Sequence, residues 1–287
     1  MKARDRFAPR RLVLVAMDIG RRTARRLGIP IPLGVSEPGP AFRRSMSRAT
    51  PPRGPLHRRL QKRYRAHRIR RFLAPAARRG QLAFDLGANV GEWSAVLRSL
   101  GSRVVAVEPQ AECVAVMQRR FAADPDVATV RAAVADWIGT GELRPSTTSS
   151  THASMSTDWR RIAMEKGYMP PEVWLEPIEV PVVTLDSLID SHGVPSYCKI
   201  DVEGFEPQAL RGLSHPIATI DFEFHRELAD AVEDCLERLA DLGDYRYRTF
   251  IGEWPEVRGG ELARGAVPDA IAALEPGTWG MIRASSP

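Results

Sequence analysis

The stretch Leu82-Ala-Phe-Asp-Leu-Gly-Ala-Asn-Val-Gly-Glu-Trp93 decides how the chain folds. Its first half is an apolar run that ends in Asp85, which predicts a buried strand before a helix. Between them lies a turn of small residues: Gly87, Ala88, Asn89 and Gly91. Small residues let a ligand approach the backbone, and the helix that follows presents free N–H groups to it. We therefore expect a nucleotide-like ligand at this turn.

The sequence on either side of this turn alternates short apolar runs with helix-like segments. This alternation predicts an α/β fold, namely a doubly wound, mostly parallel seven-stranded sheet with an antiparallel edge strand. The predicted strands are 81–86, 103–108, 127–134, 196–202, 217–224, 245–250 and 278–283. The predicted helices are about 91–100, 110–122, 206–213 and 228–242.

The details of the turn indicate which ligand it binds. A dinucleotide site prefers G-x-G-x-x-G, whereas this chain has G-A-N-V-G. Asp85 would repel a pyrophosphate but could pair with an ammonium group. The next predicted strand ends in Glu108, 23 residues after Asp85, where a carboxylate can accept both ribose hydroxyls. These features favour S-adenosylmethionine over NAD.

Five motifs occur in the order seen in FkbM-type methyltransferases, which the chain resembles over residues 80–285. They are FDLGANVGEWS, VVAVEP, VPVVTLDSLI, YCKIDVEGFEPQALRG and TWGMIRA. The resemblance implies a class I methyltransferase (Rossmann-like) fold, S-adenosylmethionine as cofactor, and methyl transfer to hydroxyl oxygens of sugars, glycolipids or polyketides. The cofactor-binding set that it and the turn predict is Asp85, Gly87, Ala88, Asn89, Gly91, Glu108 and Ala133, with Ala133 near the adenine.

Polar residues recur at period two in two predicted strands. Lys199, Asp201 and Glu203 share one face, and Asp221, Glu223 and His225 do the same in the other strand. Burying such groups is costly unless they are paired, hydrogen-bonded or bound to metal. We therefore expect them at the open, carboxyl-terminal edge of the sheet, beside the cofactor.

Methyl transfer to an alcohol requires a positioned oxygen and removal of its proton. Asp201, Glu203 or His225 could act as the base. Lys199 could lower the proton affinity of the acceptor oxygen or clamp a carboxylate, or it could form a structural ion pair with Asp201. A divalent metal is not favoured; if one binds, Asp201, Glu203 and Glu223 would supply oxygen ligands.

The charge of the chain is strongly asymmetric. Residues 1–80 contain 23 Lys and Arg against three acidic residues, whereas the remainder contains 18 basic and 32 acidic residues. We therefore divide the chain into a basic arm, residues 1–79, and a methyltransferase domain, residues 80–287. Within the arm, residues 27–56 are a proline-rich linker, and residues 57–74 predict a basic helix. Its partner could be anionic lipid, nucleic acid or the acidic domain, or the helix could simply cap the domain in solvent.

A long segment at about 138–178 interrupts the alternation of strands and helices. Connections of this length within a domain are functional or disordered. Trp159 and Trp174 favour a folded lid. Its hydroxyl-rich part, 146–156, could line an acceptor pocket or be an ordinary polar loop.

Composition limits the remaining alternatives. Three separated cysteines form no disulfide framework, no run approaches the length of a membrane span, and no secretory signal is evident. We expect a cytoplasmic, bacterial enzyme, with peripheral contact to an anionic membrane through residues 1–79 as an option. The leading function is O-methylation of a small-molecule, sugar or lipid-linked hydroxyl. Methylation of RNA is the second choice, because the arm is basic but the domain would repel phosphate; a binding module without catalysis and an NAD-dependent reductase rank lower.

Overall fold

The core of the protein is a mostly parallel sheet, which in the described part of the chain has eight strands. The computed structural model describes residues 55–252 and 256–287, and their side chains at 63–252 and 260–287. The spatial order is β10 (Glu256–Leu262), β9 (Arg246–Ile251), β11 (Trp279–Ser285), β8 (Thr219–His225), β7 (Tyr197–Ile200), β1 (Leu82–Leu86), β2 (Arg103–Val107) and β3 (Val127–Val130). The strands from β8 to β3 are parallel; β11 is antiparallel to β8 and to β9, and β10 is antiparallel to β9.

This topology confirms the predicted fold class, including an antiparallel edge strand, and corrects two details. The sheet has eight described strands rather than seven, because β10 adds an edge strand beyond β9 and antiparallel to it. A further antiparallel strand, β11, lies between β8 and β9. The predicted strand 127–134 is two strands, since the chain leaves the main sheet after Val130 and β4 (Ala133–Val134) joins a second sheet.

The second sheet shows that the interrupting segment is folded. It has the order β4, β6 (Ile178–Val183) and β5 (Gly139–Leu143). Single helical turns at Ser150–His152 and Pro171–Val173 flank α4 (Thr157–Glu165). The sequence did not predict β5 or β6, because β5 is rich in glycine and β6 contains Pro181, both unusual within strands.

Helices cover both faces of the main sheet. On one face, α1 (Pro55–Leu73), α2 (Glu92–Ser99) and α3 (Ala111–Arg120) pack; on the other, α5 (Leu185–His192), α6 (Glu206–Arg211), α7 (Ala229–Leu242) and α8 (Val267–Ala272) form the larger core. The short helices α5 and α8 were not predicted. Within the described residues, no helix combines the length and apolar character needed to cross a bilayer.

The predicted basic helix forms as α1 and packs against the sheet. Ile69, Phe72 and Leu73 are buried in one cluster with side chains of α2 and of five strands. The described part of the predicted arm therefore lies in the same compact unit, Arg53–Pro287, as the sheet. The rest of the arm, including the predicted linker up to residue 54, lies outside the described residues.

A row of alternating charges crosses the middle of the sheet. The register pairs Asp85 of β1 with Lys199 of β7, Lys199 with Asp221 of β8, and Asp221 with Arg283 of β11. All four are buried, with at most 7% of any residue exposed. Paired residues on neighbouring strands point to the same face, so each charge lies beside an opposite one.

The Arg283–Asp221 pair is the best-defined part of this row. Both guanidinium–carboxylate bonds are 2.7 Å long, and the Tyr197 hydroxyl donates to the same carboxylate at 2.6 Å. The guanidinium also donates to the Phe72 carbonyl of α1 at 3.2 Å and lies 4.3 Å from the Phe72 ring centroid. The ion pair thus joins β8, β11 and α1.

Asp221→Asn is expected to destabilise the protein by about 3 to 5 kcal/mol, because it leaves the Arg283 charge buried without its partner. Denaturant unfolding measures the loss. The control is Asp158→Asn, which breaks an exposed pair with Arg161 and should cost about 1 kcal/mol or less. Equal small losses in both variants would contradict the structural role of the buried pair.

Candidate active site

The glycine turn after β1 is held against the ends of two neighbouring strands. The N–H groups of Gly87 and Ala88 both donate to the Val107 carbonyl at the end of β2. Gly87 has φ +71°, and a Cβ there would lie 1.8 Å from the Asp201 carbonyl oxygen. Only glycine allows this approach, so the turn lies directly against the chain that follows β7.

The rest of the turn leads into α2. Asn89 has a left-handed backbone with φ +49°, and Gly91, with φ +75°, precedes the first helical residue. A Cβ on Gly91 would lie 2.8 Å from the Phe121 ring. Ala88 is buried against α3. The four predicted turn residues therefore form one tight cradle at the carboxyl edge of the sheet.

Glu108 closes this cradle from the end of β2. Its carboxylate accepts from the Asn89 N–H at 3.0 Å, and from the Gln110 N–H at 2.9 Å and side-chain amide at 3.0 Å. Burial raises its pKa, and these hydrogen bonds oppose the increase. A carboxylate has about four acceptor positions, so beyond these three hydrogen bonds Glu108 keeps about one position for a ribose hydroxyl. The turn and Glu108 together fit a nucleoside cofactor.

Asp85 lies beneath the turn and is fully buried. The Ser94 hydroxyl donates to one carboxylate oxygen at 2.5 Å, and Lys199 Nζ lies 3.5 Å from the other. The carboxylate is directed into the protein because Lys199 is its register neighbour. Its direct contact with a cofactor ammonium group stays a prediction.

Lys199 and Asp201 form an ion pair, which the sequence left open as a structural alternative to a role of Lys199 in catalysis. Lys199 Nζ lies 3.0 Å from Asp201 Oδ2 and 5.4 Å from the Trp93 ring centroid. Burial alone would lower the lysine pKa, but Asp201 and Asp85 outweigh it and raise the pKa, so the side chain keeps its charge. Lys199 is only 1% exposed, which indicates a supporting position rather than contact with an acceptor.

Glu203, Glu223 and His225 converge at the carboxyl ends of β7 and β8. Their donor atoms lie within 4.8 Å of one another. Glu223 Oε2 is 3.4 Å from His225 Nε2, and neither buried atom has a hydrogen-bond partner. Glu203 has φ +57°, and its carbonyl accepts from the Ser154 hydroxyl at 2.7 Å. Glu223 and His225, which the sequence placed on one face of a strand, thus meet the half-buried Glu203. The predicted strand 196–202 ends at Ile200, so Glu203 reaches the cluster from the loop after β7 and not from a strand face.

Burial decides the protonation of this cluster. It raises the pKa of Glu203 and of Glu223, and neighbouring carboxylates raise both further. Burial lowers the pKa of His225 to about 4, against the attraction of Glu206 and Asp201. The pKa of Glu206 itself is raised to about 7 by burial. At neutral pH His225 is therefore an uncharged imidazole.

Within the described part of the protein, Glu203, Glu223 and His225 are the side chains that could jointly hold a cation. This set differs from the predicted one, because His225 takes the place of Asp201, which pairs with Lys199. Methyl transfer from a sulfonium does not itself require a metal.

The insertion contacts both parts of the site. The Ser150 hydroxyl accepts a hydrogen bond from the Asn89 side-chain amide at 2.9 Å. The Ser150 carbonyl accepts one from the Gln110 side-chain amide at 2.8 Å. Trp159 stacks on His225, with ring centroids 3.8 Å apart and planes 26° apart. Trp159 was not predicted as a site residue, because the sequence shows only that a tryptophan occurs in a lid-like segment.

Ala133 is the predicted residue that the structure places apart from the cradle. It begins β4, where it packs with Leu143, Val180 and Val182 of the second sheet. The chain has left the main sheet before this point, so Ala133 does not lie at the end of β3. Its proximity to an adenine stays a prediction.

Comparison with known families agrees with this geometry. The model for the methyltransferase FkbM domain matches residues 85–248, which extend from Asp85 through both polar strand ends. The chain belongs to the FkbM methyltransferase family. This confirms the resemblance found in the sequence. No curated protein matches the chain.

Solved structures include distant likenesses to this FkbM protein. A precorrin-6Y C5,15-methyltransferase from Geobacter metallireducens GS-15 has 11% identity and a TM-score of 0.38, over 79% of this chain and 87% of that chain. A TehB-like SAM-dependent methyltransferase from Corynebacterium glutamicum has 13% identity and a TM-score of 0.41, over 76% and 88%. An rRNA methylase from Streptococcus thermophilus has 10% identity and a TM-score of 0.36, over 76% and 93%. With TM-scores below 0.5, these likenesses do not distinguish between acceptors.

Membership of the FkbM family establishes the coarse activity. The protein is a methyltransferase, and its cofactor is S-adenosylmethionine. The cradle at 87–91 and the Glu108 carboxylate are the described residues that suit the nucleoside part of this cofactor.

Glu108→Gln is expected to weaken binding of S-adenosylhomocysteine by about 10- to 100-fold, because hydrogen bonds to a charged acceptor contribute about 1.5 to 3 kcal/mol. Isothermal titration calorimetry measures the change. Glu112→Gln, an exposed position on α3, is the matched control and should bind like the wild type. Equal affinity in all three proteins would show that Glu108 does not bind the ribose.

Trp159→Ala is expected to raise the pKa of His225 from about 4 toward its ordinary value, near 6.5, because water then reaches the imidazole. Trp159→Phe keeps an aromatic ring on the imidazole, so the pKa of His225 should remain close to about 4. NMR titration of the imidazole signals follows both variants. The control is Trp137→Ala, which removes a ring that packs on Phe205. A pKa that stays near 4 in Trp159→Ala would show that the stack does not control protonation.

Proposed function

We propose that this FkbM methyltransferase methylates a hydroxyl oxygen of a small-molecule, sugar or lipid-linked acceptor. The observation that best supports O-methylation is the buried, uncharged His225 imidazole, whose Nε2 has no hydrogen-bond partner. A hydroxyl acceptor must lose a proton, and such a nitrogen can take it. The predicted base lies at the carboxyl end of β8, two strands along the sheet from β1 and the turn expected to bind the cofactor.

The cofactor supplies an electrophilic methyl group, so the protein need only position the acceptor, exclude water and remove a proton. Trp159 and the chain around Ser154 cover His225 and Glu203 and keep water away from them. In the proposed reaction, Nε2 of His225 takes the hydroxyl proton as the acceptor oxygen gains the methyl group. The Glu223 carboxyl oxygen, 3.4 Å from Nε2, can then accept a hydrogen bond from the new N–H.

The remaining predicted residues have supporting roles in this proposal. Asp201 and Lys199 form an ion pair beneath the cluster and fix the chain after β7 against the glycine turn. Glu203 lies close enough to His225 to share the proton taken from the acceptor, or to bind the acceptor hydroxyl itself. The base is thus assigned to His225 from the three candidates that the sequence left open.

RNA methylation is the second candidate because residues 1–80 are strongly basic. Against it, the chain after residue 80 contains 32 acidic against 18 basic residues, an excess of negative charge that would repel a phosphate backbone. We propose a cytoplasmic location for the enzyme, since the three cysteines are free and buried rather than disulfide-bonded.

His225→Gln is expected to reduce turnover by about 10²- to 10⁴-fold, the usual contribution of a general base, while S-adenosylhomocysteine binds as before. Turnover is measured in cells that produce the protein, by mass spectrometry of their metabolites and lipids. The products are species that carry one additional methyl group. The control is His215→Gln, which changes an exposed histidine that pairs with Asp186.

Undiminished turnover in His225→Gln would exclude the imidazole as the base. Methylated RNA instead of methylated metabolites or lipids would replace the proposed acceptor by the second candidate. Turnover is expected to survive treatment with a strong chelator, because no step of the proposal uses a metal.

A further inference from the structure

The described side chains of α1, at residues 63–73, fall on two different sides. The apolar side, with Ile69, Phe72 and Leu73, is buried against the sheet. Arg63, Arg70 and Arg71 are exposed. At 100° per residue, positions 63, 70 and 71 fall within one sector of the helix, opposite Phe72. The exposed arginines therefore share a surface that faces away from the sheet.

This surface is basic without interruption. Residues 55–80 contain ten Lys and Arg and no Asp or Glu. Beyond the helix, Arg78 and Arg79 are also exposed. We call the exposed arginines Arg63, Arg70, Arg71, Arg78 and Arg79 the basic face.

Among the residues whose side chains the structure describes, the acidic domain leaves the basic face exposed. Arg65, which is not part of this face, pairs with Glu92 at 3.1 Å, and Arg70 donates to Ser99 at 3.2 Å. Contact between α1 and the sheet is mainly apolar. Within that part of the chain, the acidic domain is therefore not the partner that covers the basic face.

We propose that the basic face docks the enzyme on an anionic lipid surface. A helix fixed along a protein surface with several arginines outward matches a plane of negative headgroups, and each arginine near such a surface strengthens binding about fivefold. Nucleic acid fits less well. Single-stranded nucleic acid is usually bound by aromatic platforms, and among the described side chains of α1 the one exposed aromatic ring is Tyr64, which already lies against Arg68.

The position of α1 relates the basic face to the site. Glu92, the partner of Arg65, is the first residue of α2 and directly follows Gly91 of the glycine turn. The middle of α1 therefore lies near the start of α2, whereas Arg70, Arg78 and Arg79 lie toward the opposite end of α2 and the amino end of β2. Docking through the basic face would therefore place the α1-covered side of the sheet against the lipid. The docking itself does not depend on the proposed O-methylation.

The test uses the full chain and vesicles of phosphatidylcholine with or without phosphatidylglycerol. The wild type is expected to sediment with the anionic vesicles at low salt, and to be released at high salt. The double variant Arg63→Gln, Arg71→Gln should bind about 25-fold more weakly, about fivefold for each charge removed. The matched control is Arg119→Gln with Arg131→Gln, which removes two exposed charges from α3 and the end of β3 and should bind like the wild type.

Three results would overturn the proposal. The wild type could fail to bind anionic vesicles, or the double variant could bind as tightly as the control. The double variant could also lose binding to single-stranded RNA while keeping its vesicle binding, which would assign the basic face to nucleic acid. Sedimentation needs neither cofactor nor acceptor, so its failure would leave the proposed methyl transfer unaffected.

Discussion

The cost of burying charge is the constraint on which the centre of this fold depends. Asp85, Lys199, Asp221 and Arg283 form one row across four adjacent strands, and each is nearly inaccessible to water. An isolated charge in this position would destabilise the fold, whereas alternating signs compensate each other. The row therefore fixes the register of β1, β7, β8 and β11, and it anchors α1 through Arg283. The same register sets the site, because Asp201 follows Lys199 by two residues, and Glu223 and His225 follow Asp221 by two and four.

Period-two polarity was the signal that allowed the site to be found in the sequence. Polar residues on one face of an otherwise apolar strand must either pair or serve chemistry, and both outcomes occur along the same two strands. Asp221 pairs with Arg283, whereas Glu223 and His225 are left with unpartnered atoms. Which outcome applies to which residue depends on the partner strand. Arg283 lies 62 residues further along the chain than Asp221, and no local pattern connects them.

Long-range contacts also explain what the sequence did not predict. The glycine turn and Glu108 were recognisable because the chemistry of a nucleoside site is local to two strand ends. Trp159 was not, since it reaches His225 through an insertion whose path depends on a second sheet. Ala133 was placed at the end of a main-sheet strand, but the chain crosses to β6 before that point. The close approach of Gly204 to Trp159, where a Cβ would lie 2.6 Å from the tryptophan Cβ, shows how tightly the insertion is fitted to the site.

We propose that the glycine turn, Glu108 and the cluster of Glu203, Glu223 and His225 form one continuous site for cofactor and acceptor. The decisive experiment is a crystal structure of the protein with S-adenosylhomocysteine. We expect a ribose hydroxyl on the Glu108 carboxylate and a cofactor sulfur that faces the His225 cluster. A nucleoside bound away from Glu108, or a sulfur directed away from that cluster, would rule out a continuous site.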